Sequence, residues 1–277
     1  MTIAEALRIA GVDFADARVL LREILRADEA HLLAHPGQHL TEAQRAGYLA
    51  WVERRRSGEP VAYLTGSREF YGLALRVTPA VLIPRPETEL LVEAALERIP
   101  ADQVCRVLDL ATGSGCVAVA IAKHRPRAQI TATDVSSAAL AIARENAARH
   151  GVSIEFFESD WFAALAGRKF DLIVSNPPYV AEGDPHLDSG DLRFEPRSAL
   201  AAGLAGLDSI EVIVEQAVRH LASGGQLLFE HGYDQGPCSR TRLAAAGFLD
   251  IATRRDLAGI ERVSGGGFDG APGQKLK

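Results

Sequence analysis

The segment Asn176-Pro177-Pro178-Tyr179 carries an unusual density of electron-pair donors. Two successive prolines fix two φ angles and remove two N–H groups. What the loop offers is therefore acceptors: its backbone carbonyls and the Asn176 side-chain oxygen. An aromatic face follows at Tyr179. This set suits substitution at a planar NH2 group. The lone pair of a primary amide nitrogen is delocalised into its carbonyl, which makes it a poor nucleophile. Two acceptors gripping its two N–H bonds would orient the nitrogen and favour the pyramidal geometry of attack, a case of electrostatic preorganisation. Tyr179 would stack on the planar group. If the methyl donor is a sulfonium, it is already a strong electrophile, and holding the reactants in line supplies much of the acceleration. Such a reaction calls for no metal, no covalent intermediate and no strong general base.

A second group of residues provides for the donor. Asp109-Leu110-Ala111-Thr112-Gly113-Ser114-Gly115 lies where an apolar run hands over to a helical pattern. Glycines there let the backbone turn tightly and approach a ligand that a Cβ would hold off. Ligands of open α/β sheets bind beyond the carboxyl ends of the strands. Asp134 closes the next apolar run, where its carboxylate would accept both ribose hydroxyl protons of an adenosine. A rival template fits the same residues. Gly113-x-Gly115-x-x-Ala118, with Asp134 about 20 residues on, is an acceptable dinucleotide fingerprint. The glycine loop alone therefore leaves a nicotinamide-dependent oxidoreductase open beside a methyltransferase. The oxidoreductase leaves Asn176 to Tyr179 unexplained.

The elements that must position these groups alternate. Val104 to Leu110 reads as a buried strand and Ser114 to Lys123 as a helix. Gln129 to Asp134 and Ser136 to Arg149 repeat the pair. Ile154 to Phe157, Phe170 to Ser175 and Gln226 to Glu230 are further strands; Ile210 to Leu221 and Thr241 to Ala246 are helices. The alternation predicts an α/β fold, an open parallel sheet covered on both faces. The first third is helical instead. Thr2-x-x-Glu5 is a capping box. A second helix follows Asp13, and a third runs from Thr41 to the cations Arg54-Arg55-Arg56, which complement a helix C-terminus. Glu69 to Val77 resembles two short strands around a glycine turn. The boundaries expected are a helical bundle over 1–65, a hairpin and linker over 66–85, and the catalytic domain over 86–277. The tail from Gly265, rich in Gly and Lys, is expected to fray.

Composition narrows the function classes. The chain has 277 residues, 47% of them apolar and 24% charged, as in ordinary globular proteins. Its net charge of −6 argues against sequence-independent nucleic-acid binding, which rests on basic surface. Cys105, Cys116 and Cys238 are widely spaced and odd in number, so buried reduced thiols are expected in place of a disulfide framework or zinc site. No apolar stretch is long enough to span a bilayer. Met1 to Glu5 show no secretory pattern. A cytoplasmic monomer is expected.

The two motifs together resemble those of class I S-adenosylmethionine-dependent methyltransferases acting on planar nitrogen. These share a loop of Asn, Asp or Ser, then Pro-Pro, then Tyr, Phe or Trp. Within that group the chain resembles the release factor glutamine methyltransferases over nearly its whole length. The resemblance is carried by Ile83-Pro84-Arg85-Pro86-Glu87-Thr88-Glu89, Ser159-Asp160-Trp161-Phe162, Phe194-Glu195-Pro196, Gly203 to Leu207, Glu230-His231-Gly232 and Asp256 to Arg262. It implies a Rossmann-like, mostly parallel sheet with helices on both faces and a small N-terminal helical domain that grips the substrate protein. It implies methyl transfer from S-adenosylmethionine to the glutamine amide nitrogen of the Gly-Gly-Gln motif in class 1 peptide release factors. Cofactor contacts would be Ala111, Thr112, Gly113, Ser114, Gly115, Asp134, Trp161 and Asn176. The glutamine would be held by Asn176, Pro177, Pro178 and Tyr179, with no metal. Ala111 departs from the glycine frequent in the family; alanine demands negative φ there, or mild strain.

Rival readings remain. A glutamine methyltransferase of a ribosomal protein shares the Asn-Pro-Pro-Tyr loop but lacks the stretch Pro86 to Glu89. Methylation of nucleic-acid amino groups (adenine N6 or guanine N2) uses similar loops, yet the acidic charge counts against it, and no direct nucleic-acid or membrane partner is expected. Among lesser candidates, Phe70 and Tyr71 are expected in interdomain packing, and His186 and His231 on the surface or in loops. Asp184, Asp188 and Asp191 read as solvated loop acids. Glu87 and Glu89 read as caps of the helix that follows.

Overall fold

The computed structural model describes residues 1–270, which separate into two compact units. The smaller comprises Met1–Ser67 with Asp188–Phe194 and the larger the rest. In the smaller unit, α1 (Ile3–Ile9), α2 (Phe14–Leu25), α3 (Glu29–Ala34), α4 (Glu42–Arg56) and α5 (Val61–Thr65) surround Ile3, Leu20, Leu21, Tyr48, Val52 and Leu64. Thr2 with Glu5, and Thr41 with Gln44, form complete capping boxes, so each helix starts where its orphan N–H groups find oxygen. Within this unit Arg55 reaches Asp16 at 2.7 Å and Asp191 at 2.9 Å, and Arg56 binds the carbonyls of Ile9 and Ala10. Asp191 is thus paired, where the sequence had suggested a solvated acid. Helices α3 and α5, of six and five residues, are too short for periodicity to announce.

The larger unit opens with a hairpin, β1 (Ser67–Phe70) and β2 (Leu73–Arg76). Tyr71 (φ 52°) and Gly72 (φ 74°) turn it with positive φ at both central positions, the geometry that matches strand twist. Phe70 is 1% exposed in the core of this unit and Tyr71 stacks edge-on against His124, so both pack within the larger unit. A single 3-10 turn at Pro86–Thr88 leads into α6 (Glu89–Leu96). Glu89 does not cap that helix: its Oε1 accepts the Tyr71 N–H at 2.9 Å.

Then β3 (Arg106–Leu110), α7 (Cys116–His124), β4 (Gln129–Asp134), α8 (Ser137–His150), β5 (Ile154–Glu158) and β6 (Phe170–Ser175) follow in alternation. After them come α9 (Asp208–His220), β7 (Leu221–Glu230), α10 (Gly236–Ala245), β8 (Leu249–Arg255) and β9 (Glu261–Phe268). The sheet order is β5-β4-β3-β6-β7-β9-β8, with β9 antiparallel to both neighbours and all other pairs parallel. This matches the expected α/β fold, a Rossmann-like, mostly parallel sheet with helices on both faces, and a helical N-terminal part. Successive strand residues serve opposite faces: Val107 packs with α6 and α7, Leu108 with α9.

Strands β8 and β9 overturn the expectation of a fraying tail from Gly265. Gly265 and Gly266 lie inside a buried strand, and a Cβ on Gly265 would stand 2.2 Å from the Leu227 carbonyl oxygen. These glycines permit close strand contact. Residues 271–277 of that expected tail lie outside the described residues. No helix among the described residues is long and apolar enough to cross a membrane.

Candidate active site

The cavity of interest lies at the carboxyl ends of β3, β4 and β6, where the strand order reverses. Its floor is the turn between β3 and α7. Ala111 (φ 56°), Gly113 (φ 55°) and Gly115 (φ 80°) all adopt left-handed conformations. Ala111 therefore takes the strained alternative, at a cost of roughly 1–2 kcal/mol. The turn is held from the neighbouring strand: Thr112 N–H donates to the Thr133 carbonyl at 2.9 Å and Gly113 N–H to Asp134 Oδ2 at 2.8 Å. Gly115 begins α7 with its Cα face against α8, where an added Cβ would meet Ala143 Cβ at 3.0 Å.

Two acids stand beneath this turn. Asp109 is buried on β3, and its Oδ2 accepts from Thr112 Oγ1 at 2.5 Å and Ala118 N at 3.2 Å. Burial pushes its pKa up to about 7, against the pull of those two donors. Asp134 also accepts the Ser136 N–H at 2.9 Å. Burial raises its pKa too, opposed by its backbone donors. Both backbone bonds leave Asp134 lone pairs to spare, since a carboxylate has about four acceptor sites. Ser114 Oγ and Thr133 Oγ1 are buried hydroxyls without a hydrogen-bond partner, and both residues line the cavity.

The Asn176-Pro177-Pro178-Tyr179 loop leaves the end of β6, which Ser175 Oγ ties to the Leu110 carbonyl at 2.9 Å. Asn176 Nδ2 donates to Thr88 Oγ1 at 3.0 Å, and Tyr179 OH donates to Glu230 Oε1 at 2.9 Å. Burial, and then the Glu230 charge, lift the Tyr179 pKa well above its ordinary value, so the phenol stays protonated and donating. The Tyr179 carbonyl accepts from Gln235 Nε2 at 3.0 Å.

A further wall is clamped by one acid. Glu195, 4% exposed, accepts the Ile83 N–H at 3.0 Å and pairs with Arg85. Trp161 (φ 47°) is held in its left-handed conformation by Ser159, whose Oγ donates to the Trp161 carbonyl at 2.9 Å.

Ala111, Thr112, Gly113, Ser114, Asp134, Trp161, Asn176 and Pro178 all line the cavity. Gly115, Pro177 and Tyr179 do not: Gly115 shapes the turn, Pro177 is buried, and Tyr179 points its hydroxyl at Glu230. His231 corrects another expectation. It is fully buried, not at the surface, with Nδ1 at 2.8 Å from the Gly232 carbonyl and Nε2 at 2.9 Å from Ser264 Oγ. His186 is exposed and paired with Asp184. The three cysteines are free: Cys105 is buried, Cys116 and Cys238 partly so. Sequence reasoning passed over Thr88, Glu195, Glu230 and Asn146 as parts of the site. Of these, Glu230 alone carries a local signal, as the polar residue closing the apolar run Leu227-Leu228-Phe229.

No group of three or more His, Cys, Asp or Glu that would hold a metal occurs among the described residues. The Methyltransferase small domain family matches residues 86–191, and the PrmC N-terminal domain family matches residues 2–66. The chain is 52% identical over 276 residues to a release factor glutamine methyltransferase of Burkholderia pseudomallei, covering 97% of each. It is 48% identical over 254 residues to that of Escherichia coli, covering 91% of each. Among solved structures, a Pyrococcus furiosus methyltransferase superposes with a TM-score of 0.55 at 18% identity, over 80% of this chain and 99% of that one. A T. thermophilus 16S rRNA N2 methyltransferase gives 0.54 at 20% identity, over 73% and 49%. At these identities the structural likeness speaks for the fold.

Proposed function

Because this chain belongs to the release factor glutamine methyltransferase family, we infer that it transfers a methyl group from S-adenosylmethionine to the side-chain amide nitrogen of a release factor glutamine. The observation that carries the reading is the Asn176 to Thr88 hydrogen bond. With Nδ2 engaged, Asn176 keeps Oδ1 as an acceptor at the wall of the same cavity that Asp134 and the glycine turn line.

The residues fit the cofactor. Asp134 has spare lone pairs for ribose hydroxyls, Ser114 Oγ and Thr133 Oγ1 lack partners, and Trp161 and Val135 line an apolar wall. Ala111, Thr112, Gly113, Ser114, Asp134 and Trp161 would hold it, with Gly115 shaping the turn. Bound S-adenosylmethionine supplies an electrophilic methyl on sulfur. The protein's part is to hold the amide. Asn176 Oδ1 and the Pro178 carbonyl take its two N–H bonds, which opposes amide resonance and turns the lone pair outward. The prolines contribute no competing N–H. The proton is lost after the methyl has arrived, so the acids beneath the turn need not act as bases.

The helical unit, matched by the N-terminal domain family, serves to grip the release factor in this reading, and the substrate's work in translation assigns the reaction to the cytoplasm. The test is to incubate the full chain with labelled S-adenosylmethionine and a class 1 release factor, then map the label by mass spectrometry. One methyl on the Gly-Gly-Gln glutamine is expected, abolished by a Gln→Ala change there. Label elsewhere, or none, would overturn the reading.

A further inference from the structure

Glu230 ends β7 at 1% exposure, fully inside the larger unit. A buried carboxylate is costly unless its oxygens are satisfied. Here Oε1 accepts from Tyr179 OH, while Oε2 has no hydrogen-bond partner. The Thr88 hydroxyl is near enough to favour the ionised form, though not in hydrogen-bond geometry with Oε2. Thr88 Oγ1 in turn accepts from Asn176 Nδ2. One buried acid thus stands behind both polar side chains of the acceptor loop.

We propose that Glu230 is a positioning residue whose buried, unpartnered Oε2 draws the Thr88 hydroxyl proton toward itself, so that Asn176 presents its carbonyl oxygen, and not its NH2, to the substrate amide. The inference rests on the amide-nitrogen reading given above. An ionised carboxylate accepts only, and a threonine hydroxyl has a single proton to give. With that proton turned toward Glu230, Thr88 shows its lone pairs to Asn176, which must answer with Nδ2. A side-chain amide turned the other way would set oxygen against oxygen at Thr88 and aim two N–H donors at a substrate NH2. A group at position 230 able to donate would release the Thr88 proton to Asn176 Oδ1 and permit that turn. Tyr179 strengthens the arrangement because its phenol remains a donor. The other groups acting on Glu230 are Arg262 on β9, which favours its charge, and Glu87 in the turn before α6, which opposes it. Cys116 at the start of α7 feels the Glu230 charge, and its thiol is pushed up to about 12, chiefly by burial.

The test compares full-length wild type, Glu230→Gln, Thr88→Val and Thr88→Ser in single-turnover methyl transfer to a release factor, with cofactor affinity by calorimetry. Gln fills the Glu volume but brings a donor; Val keeps the shape of Thr and loses the hydroxyl, which Ser restores. The expected result is a rate loss of about 100-fold in Glu230→Gln and in Thr88→Val, the size of an active-site hydrogen-bond contribution. Cofactor affinity should hold at the wild-type value and Thr88→Ser should recover the rate. The wild-type rate should fall at acid pH with an apparent pKa above the usual carboxylate range, because burial raises that of Glu230. Wild-type rates in both Glu230→Gln and Thr88→Val would overturn the proposal, as would a Thr88→Ser variant no better than Thr88→Val. Should Glu230→Gln fail to fold, the Thr88 pair decides alone. Absence of transfer by the wild type would overturn the functional reading itself, and this inference with it.

Discussion

Asn146 on α8 grips both sides of the Arg76 peptide: its Oδ1 accepts the N–H at 2.7 Å and its Nδ2 donates to the C=O at 3.0 Å. The same Nδ2 donates to the Ser114 carbonyl at 2.9 Å, so one buried amide ties the end of β2 to the glycine turn. Asn146→Ala leaves three backbone groups without this partner. Since a buried group left unpaired costs ~1–3 kcal/mol, a loss of about 3 kcal/mol is expected. Urea unfolding of variant and wild type measures it. Asn146→Asp should be worse, because it turns acceptors toward two carbonyls.

Gly115→Ala should weaken cofactor binding. The residue sits at φ 80° and its new Cβ would press on Ala143 Cβ and Cα at 3.0 and 3.2 Å. Left-handed strain and crowding of this kind cost about 1–3 kcal/mol. A calorimetric titration with S-adenosylmethionine should show the affinity falling by roughly tenfold for each 1.4 kcal/mol that reaches the site. Ala111→Gly works in the other direction. It removes strain at φ 56° and should hold or raise affinity in the same titration.

Stability should depend on pH through Asp109. Its folded-state pKa of about 7 lies above the ordinary value of 3.8. The folded chain therefore binds this proton more tightly than the unfolded chain does. The associated stability is fully present below pH 3.8 and is lost as pH rises through about 7. At about 1.4 kcal/mol per pH unit the change is on the order of 4 kcal/mol. Asp109→Asn keeps an oxygen for Thr112 and Ala118 and removes the titration. Subtracting its denaturation free energies from those of wild type between pH 4 and 8 should give a difference that grows with pH in favour of the variant.

The parts of this architecture that could be read from the sequence are those whose signal is local. Strands Gln129–Asp134 and Phe170–Ser175 are short segments rich in β-branched and apolar residues that end in a polar residue, and their observed bounds coincide with the expected ones. The turn from Ala111 to Gly115 and the Asn-Pro-Pro-Tyr loop announce themselves through glycine and proline, whose backbone limits are intrinsic. What stayed hidden depends on partners far away in sequence. Ser264-Gly265-Gly266-Gly267 has no strand propensity of its own, and becomes β9 because β7 and β8 close on both sides of it. Asn146 meets Arg76 across 70 residues, and Glu195 meets Arg85 across 110. Glu230 looked like the polar end of a strand; only the fold brings Tyr179 and Thr88 to it.

Glu195 offers a further check on how the cavity is kept in shape. Its carboxylate holds the Ile83 N–H and Arg85, and Arg85 and Pro196 both line the cavity. Breaking a buried pair by removing one partner typically costs 3–5 kcal/mol, so Glu195→Ala should lower the urea midpoint sharply. Arg85→Ala leaves the Ile83 bond in place, so its loss should be the smaller of the two in the same urea titration.

The central claim is that Asn176 acts on the transition state of amide methylation more than on the cofactor. Single-turnover methyl transfer by Asn176→Ala, read beside its S-adenosylmethionine dissociation constant, tests it most directly. The account predicts a rate lower by about 100-fold or more, as for other lost transition-state hydrogen bonds, with cofactor affinity near that of wild type. Equal losses in rate and affinity, or a rate left intact, would contradict it.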